Sequence, residues 1–422
     1  MAKLQSNLTI DQDRLWDTIM EMAKIAPGVA GGSNRQTLTD GDGEARHLLR
    51  RWAEAEGADL TVDRIGNMFL RREGMEPDLP PVCLGSHLDT QPTGGKYDGV
   101  LGVLAGLEVF RSLNERKIAT RYPIVLINWT NEEGSRFAPA MLASGAFAGL
   151  YTEEWVNART DAAGLAFGDE LDRIGWRGEK PVGEQPMKAF FELHIEQGPL
   201  LEDGGLDVGV VTHGQGLYWL EVSFEGRESH TGTTPMDRRR DAARGLAQTI
   251  ELVNETAFAF LPGVVGSVGH ASVEPNSRNI IPGYSVCTID IRTADKAKLE
   301  AMRERIERGV HRIAETLGLA AKVTITGHFD PITFDLECVS AVRSAANRLG
   351  YRHADIVSCA GHDACHVNRV VPSAMVMCPC VDGLSHNEAE EITKDWAGAG
   401  ANVLMHAVLE TAEIVQRKDY RK

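Results

Sequence analysis

Four short polar clusters carry most of the residues in this chain that could do chemistry. They are Gly85-Ser86-His87-Leu88-Asp89-Thr90, Asn131-Glu132-Glu133-Gly134, His194-Ile195-Glu196-Gln197-Gly198 and Gly383-Leu384-Ser385-His386-Asn387-Glu388. Each follows an apolar run of the kind that forms a buried strand, at 81–84, 122–129, 189–193 and 373–377. In open α/β sheets ligands bind beyond the carboxyl ends of the strands, so the clusters should converge on one site. A fifth cluster, Lys96-Tyr97-Asp98-Gly99, precedes a Gly-rich apolar helix. Asp98 there either caps that helix or, having two carboxylate oxygens, bridges two divalent cations about 3.5–4 Å apart. Together with His87, His194, His386 and Glu133 it would complete a binuclear site, and such donors suit zinc or a similar first-row ion. In the Glu132-Glu133 pair one carboxylate can bind metal while its neighbour stays free as a general base. Adjacent acids on a turn otherwise simply face solvent.

These residues need a frame. A helix over 41–56 sets Leu48, Leu49 and Trp52 on one face. The segment 59–72 reads as a hairpin turning at Gly66-Asn67. Residues 99–110 and 390–415 read as further helices. The stretch 214–330 is different in kind. It alternates at 218–225, with Leu220, Val222 and Phe224 against Trp219, Glu221 and Ser223, as a half-exposed strand does. A helix near 238–254, strands near 264–273 and 284–292, a charged helix over 295–317 and a strand at 321–327 follow. That order is β-α-β-β-α-β, the split βαβ pattern. The chain therefore reads as an α/β domain with a mixed sheet, split into 1–213 and 331–422, around a ferredoxin-like α+β insert at 214–330.

Composition removes several classes of function. Among 422 residues there are 44 Lys and Arg against 60 Asp and Glu, a formal charge of −16 that disfavours binding to nucleic acid. The one basic cluster, Arg238-Arg239-Arg240, is flanked by Asp237 and Asp241. No apolar run reaches the roughly 18–20 residues needed to span a bilayer, and MAKLQSNLTI is not a secretory leader, so a cytoplasmic protein without a membrane partner is expected. Seven Cys residues, an odd number, read as reduced thiols rather than a disulfide framework. Cys359, His362, Cys365 and His366 imitate a small zinc site, but their spacing is cramped. There is no G-x-S-x-G elbow, no H-E-x-x-H helix and no P-loop. His213-Gly214-Gln215-Gly216 lacks the rest of a dinucleotide fingerprint.

The strings GSHLDTQPTGGKYDGVLGVLAGLE, NEEGSRF, ELHIEQGPLLE, SHTGTTPMDRRRDA, NIIPG, DIR, GHDA and GLSHNE, spread over residues 40–415, resemble the hydantoinase/carbamoylase branch of the binuclear metallo-amidohydrolases. These share a fold with zinc aminopeptidases and carboxypeptidases. The resemblance implies two divalent metal ions per subunit, zinc first, with manganese, cobalt or nickel as alternatives. It implies His87, Asp98 and His194 on one ion and Asp98, Glu133 and His386 on the other. Asp89 would orient the His87 imidazole, and Glu132 would be the general base. His230 would polarise the scissile carbonyl, within its own or a partner subunit. Asn279 and Arg292 would bind the substrate carboxylate, and Gln197, Gly361 and His362 are implied as further substrate contacts. The insert would serve as lid and homodimer interface. The implied reaction is hydrolysis of an N-carbamoyl amino acid such as N-carbamoyl-β-alanine, a small anionic ureido substrate. Allantoate hydrolysis, peptide hydrolysis and a non-catalytic scaffold are the competing readings.

Overall fold

The computed structural model describes residues 7–415. It falls into two compact units. His213–Thr333 forms one, and the chain on either side of it forms the other.

The discontinuous unit is built on a mixed sheet. Its strands run in the order Asp59–Val62, Met68–Arg72, Ile124–Trp129, Val82–His87, Ala189–Ile195, Ser373–Cys378 and Val208–Gly214, with His353–Ser358 beside the last. The four middle strands are parallel, and their neighbours on both sides pair antiparallel. Every residue of those four strands is buried, which is why they read as continuous apolar runs rather than alternating ones. Parallel pairing places all four carboxyl ends on one edge, with His87 opposite Trp129, Met377 opposite His194 and Cys378 opposite Ile195.

The strand expected to stop at residue 84 continues through Gly85 and Ser86 to His87. These polar residues stay in the strand because they are paired there: Ser86 Oγ donates to Glu192 Oε1 at 2.6 Å. The helix Val100–Glu115 is buried on almost every side because it packs on the central strands and on the helices Gln12–Met22 and Lys394–Ala412. The final helix starts at Lys394, not at 390, with the Thr393 side chain accepting from the Trp396 N–H at 3.1 Å. The helices Gln12–Met22 and Leu336–Leu349 are absent from the sequence reading. Six cysteines (Cys83, Cys287, Cys338, Cys365, Cys378 and Cys380) are buried thiols, and among the described residues no helix is long and apolar enough to cross a membrane.

The inserted unit has the order strand, helix, strand, strand, helix, strand. Its sheet runs Val264–Glu274, Tyr284–Thr293, Gly216–Glu225, Ala320–Phe329, antiparallel throughout. This is the ferredoxin-like arrangement. Leu220, Val222 and Phe224 join Ile289, Ile291, Met302, Ile306 and Val310 in its core, while Trp219 on the opposite face is exposed. The first helix, Ala242–Phe260, begins later than residue 238 because Asp241 caps it, accepting from the Ala243 N–H at 3.0 Å.

Candidate active site

His87 ends its strand and His194 is the penultimate residue of another; both are buried. Each Nδ1 lies 2.9 Å from a backbone carbonyl, of Asp89 for His87 and of Ile195 for His194. A carbonyl only accepts, so Nδ1 carries the proton and Nε2 presents a lone pair. Both Nε2 atoms are buried and lack a hydrogen-bond partner. They face Asp98 Oδ1 at 3.5 and 3.0 Å. Asp98 Oδ2 lies 3.5 Å from His386 Nε2, which is 3.3 Å from Glu133 Oε2. Two groups of donors result, His87 with Asp98 and His194, and Asp98 with Glu133 and His386, each with its atoms within 4.8 Å of one another. Two ligands at zinc bond lengths and a tetrahedral angle stand roughly 3.3 Å apart, which is the spacing here. Buried imidazole lone pairs with no donor are costly on their own. The donor set therefore fits a pair of divalent cations sharing Asp98. Among the described residues these are the two such groups, and Cys359, His362, Cys365 and His366 make no third.

Asp98 does not cap the helix that follows it. The cap residue is Gly99, with no side-chain cap bond. Gly99 has φ 65°, and a Cβ there would lie 2.3 Å from the His87 ring, so only glycine allows this approach. Asp98 is buried against the rings of His194 and His87, so its charge needs a cation beside it. Glu132 and Glu133 follow Asn131, which is held at a left-handed φ of 59°. They are buried rather than solvated. The loop is anchored at Thr130, whose N–H donates to Asn67 Oδ1 at 3.0 Å and whose Oγ1 accepts from Arg46 at 3.1 Å. Gln91 fixes Glu133 through its backbone N–H at 3.1 Å and its side-chain Nε2 at 2.7 Å. Burial pushes the Glu132 carboxyl well above the usual range, and its Oε2 is 3.4 Å from His87 Nε2.

Asp89 is the residue expected to orient the His87 imidazole, and it is the backbone carbonyl of Asp89 that bonds Nδ1, the nearer carboxylate oxygen being 3.8 Å away. The carboxylate accepts from the backbone N–H groups of Glu132 and Glu133 at 3.3 and 3.2 Å. Asp89 thus orients the histidine with its main chain and the acid pair with its side chain.

A model of the peptidase family M20/M25/M40 matches residues 83–410. The chain belongs to this family. An N-carbamoyl-L-amino-acid amidohydrolase from Rhizobium meliloti is 58% identical to it over 416 residues, 99% of this chain and 100% of that one. A second N-carbamoyl-L-amino acid amidohydrolase, from Geobacillus stearothermophilus, is 35% identical over 412 residues, 96% of this chain and 99% of its own. Among solved structures, an amidase of the hydantoinase/carbamoylase family from Burkholderia multivorans matches with a TM-score of 0.93 at 51% identity, covering 96% of this chain and 98% of that one. The chain is a hydrolase of this family.

The other residues implied by the family resemblance fall into three places. Gly361 and His362 are at the site itself. His362 is buried, its ring centroid 4.3 Å from that of His194, and burial holds its imidazole well below the usual range, so it is neutral. Met141 packs against Gly361 and donates its N–H to the Glu132 carbonyl at 2.6 Å. Gln197 was expected on the substrate. Its Nε2 donates to Asp98 Oδ2 at 2.7 Å and to Ser385 Oγ at 3.1 Å, from a residue with φ 59°, and its buried Oε1 is left to other partners. The third place is the insert. His230 pairs with Ile280 in a two-stranded ladder, and the next N–H, of Thr231, donates to the Asn279 carbonyl at 3.0 Å, so His230 and Asn279 are neighbours. The His230 Nδ1 accepts from the N–H groups of Gly232 and Thr233 at 3.0 and 3.2 Å. Its proton is therefore on Nε2 in the neutral form. Arg292 forks onto Asp290, Nη2 to Oδ2 at 2.8 Å and Nε to Oδ1 at 3.0 Å. Sequence reasoning passed over Gln91, Asn67, Ser385 and Glu390. Gln91 and Ser385 lie within the quoted motifs, Ser385 next to His386 and Gln91 two residues after Asp89, and that placement was the available signal.

Proposed function

We propose that this protein hydrolyses the ureido C–N bond of an N-carbamoyl amino acid, releasing the amino acid, carbon dioxide and ammonia. The observation that carries the reading is Glu132: a buried carboxyl outside both donor groups, 3.4 Å from His87 Nε2 and adjacent in sequence to a donor. His87, Asp98 and His194 would hold one cation and Asp98, Glu133 and His386 the other, zinc first, with manganese, cobalt and nickel also suited. Such ions, when bound, supply Lewis acidity at the carbonyl and make water acidic enough to attack near neutral pH. Glu132 takes the proton of the attacking water and returns it to the leaving ammonia. His230 offers an Nε2–H to the developing oxyanion, worth a few kcal/mol per donor. Arg292 presents a planar fork suited to the substrate carboxylate, and Asp290 holds that fork in place. The names of the two amidohydrolase relatives support this substrate class.

The insert supports a shared site in a homodimer. The His230 ladder adjoins the Tyr284 end of the strand Tyr284–Thr293, where Gly226 N–H donates to the Gly283 carbonyl at 2.7 Å. Arg292 is at the far end, about 26 Å away along the strand at roughly 3.3 Å per residue. A ureido acid is far shorter than that. The separation supports His230 with Asn279 serving one active site and Arg292 another, as two subunits sharing their inserts would arrange them. The edge strand Val264–Glu274 and the exposed Ile250, Phe258, Leu261 and Val265 favour pairing through this unit, with the insert acting as lid and interface. Six buried thiols favour a reducing cytoplasm.

Ammonia release from purified protein tests the reaction, with N-carbamoyl-L-amino acids and N-carbamoyl-β-alanine compared against allantoate. Turnover of the carbamoyl amino acids is expected. Turnover of allantoate alone refutes the substrate assignment. Metal analysis finding no bound divalent ion after purification in metal-containing buffer points to the scaffold instead.

A further inference from the structure

We infer that Glu390 is a positioning residue that sets the strength of the second cation position, formed by Asp98, Glu133 and His386. The inference rests on the two-cation reading above. The two positions are unequally built. In the first, His87 and His194 are buried on strands, and each ring is fixed through Nδ1 by a nearby backbone carbonyl. In the second, His386 is on a loop, with its side chain 51% exposed and its backbone at a left-handed φ of 52°. Something outside that residue must hold the loop to Asp98.

Glu390 has the geometry to do so. It is buried, its Oε1 accepts from the backbone N–H groups of Tyr97 and Asp98 at 3.2 and 3.1 Å, and its Oε2 lies 3.0 Å from Ser385 Oγ. Ser385 Oγ is in turn 3.0 Å from Asp98 Oδ2. One carboxylate thus joins the main chain of the shared aspartate to the residue preceding His386. The chain leaves room for it at Gly95, where a Cβ would lie 2.0 Å from Glu390 Oε1. The same loop is pinned on its other side by Glu388, whose Oε2 accepts from the N–H groups of Ala30 and Gly32 at 2.5 and 3.1 Å. Removing the Glu390 side chain strips the acceptor from two buried N–H groups and frees Ser385, while leaving both histidines of the first position anchored.

The test is calorimetric titration of the full-length, EDTA-stripped chain with manganese chloride, with thermal melts to confirm folding. The unaltered chain is expected to bind two equivalents. Glu390→Ala should keep the first within about threefold and weaken the second by roughly thirtyfold, in the range for residues that orient ligands. Glu390→Gln should recover the second, because its amide oxygen can accept from both N–H groups and its amide nitrogen can donate to Ser385. Ser385→Ala, which cuts the same link with less disturbance of the core, should also weaken only the second equivalent. Unchanged binding in Glu390→Ala or Ser385→Ala, equal weakening of both equivalents, or no recovery in Glu390→Gln overturns the role of Glu390 alone. Fewer than two equivalents in the unaltered chain overturns the two-cation reading as well.

Discussion

Glu132 and Glu133 are neighbours in sequence and separate in role because their surroundings differ. Glu133 points to His386 and is bonded by Gln91, whereas Glu132 is left beside His87. Replacing Glu132 with Gln keeps the side-chain volume and removes the proton acceptor. Glu132→Gln should retain bound metal and lose about 10³-fold in kcat, within the usual range for a general base; metal content measured beside ammonia release checks this, and near-normal turnover removes Glu132 as the base. Arg292 makes the complementary case, since a fork on a carboxylate contributes mainly to binding. Arg292→Ala should raise KM for carboxylate-bearing substrates about tenfold to a hundredfold with a smaller change in kcat. An unchanged KM reassigns the residue to its ion pair with Asp290. The acid pair and the histidines were legible as residue types after apolar runs. The bond from Gln197 to Asp98 was not, because no local pattern links residues 99 positions apart in the chain.

At the scale of elements, the hairpin that leads into the sheet also braces the site. Asp63 sits at its turn, accepts from the N–H groups of Ile65 and Asn67 at 3.1 and 2.9 Å, and accepts from Asn67 Nδ2 at 2.8 Å. Asn67 then takes the N–H of Thr130, two residues before Glu132. Burial pushes the Asp63 carboxyl up to about 7. An unfolded aspartate loses its proton near pH 4, so the folded state alone holds it between about 4 and 7. The contribution to stability is fully present below about pH 4 and is lost as pH rises through about 7. The melting temperature of the unaltered chain relative to Asp63→Asn should therefore fall as pH is raised from 4 to 7. A difference that stays constant across that window refutes the titration of Asp63. Strands buried on both faces were legible because continuous apolar runs have few other uses. Helix starts were less so: Asp241 and Thr393 were passed over as caps, and capping depends on one side chain turning back to the main chain.

At the scale of the whole molecule, a chain of net charge −16 is proposed to bind an anion. Two cations and Arg292 would supply a local positive field against that background. If His230 acts on the partner's site, His230→Ala and Glu132→Gln subunits, each inactive alone, complement one another when mixed. Up to about one site in four should be intact at equal mixing and random pairing, because such a site needs Glu132 from one subunit and His230 from the other. Ammonia release after verified subunit exchange measures it, and no recovery places His230 in its own subunit's site.

The sequence by itself marked the donor candidates, the buried strands that carry them and the β-α-β-β-α-β order of the insert, while Glu132 as the base came with the family resemblance. The first three are written in residue type and local period, which are properties of the chain alone. Tertiary structure decided which oxygen of Asp98 faces which histidine, that Asp89 serves the His87 imidazole with its carbonyl and the acid pair with its carboxylate, and that Gln197 and Glu390 converge on Asp98. Glu390 is 292 positions from Asp98 along the chain. No local pattern links such residues, because the contact exists only once the strands align their carboxyl ends and their loops share one small volume.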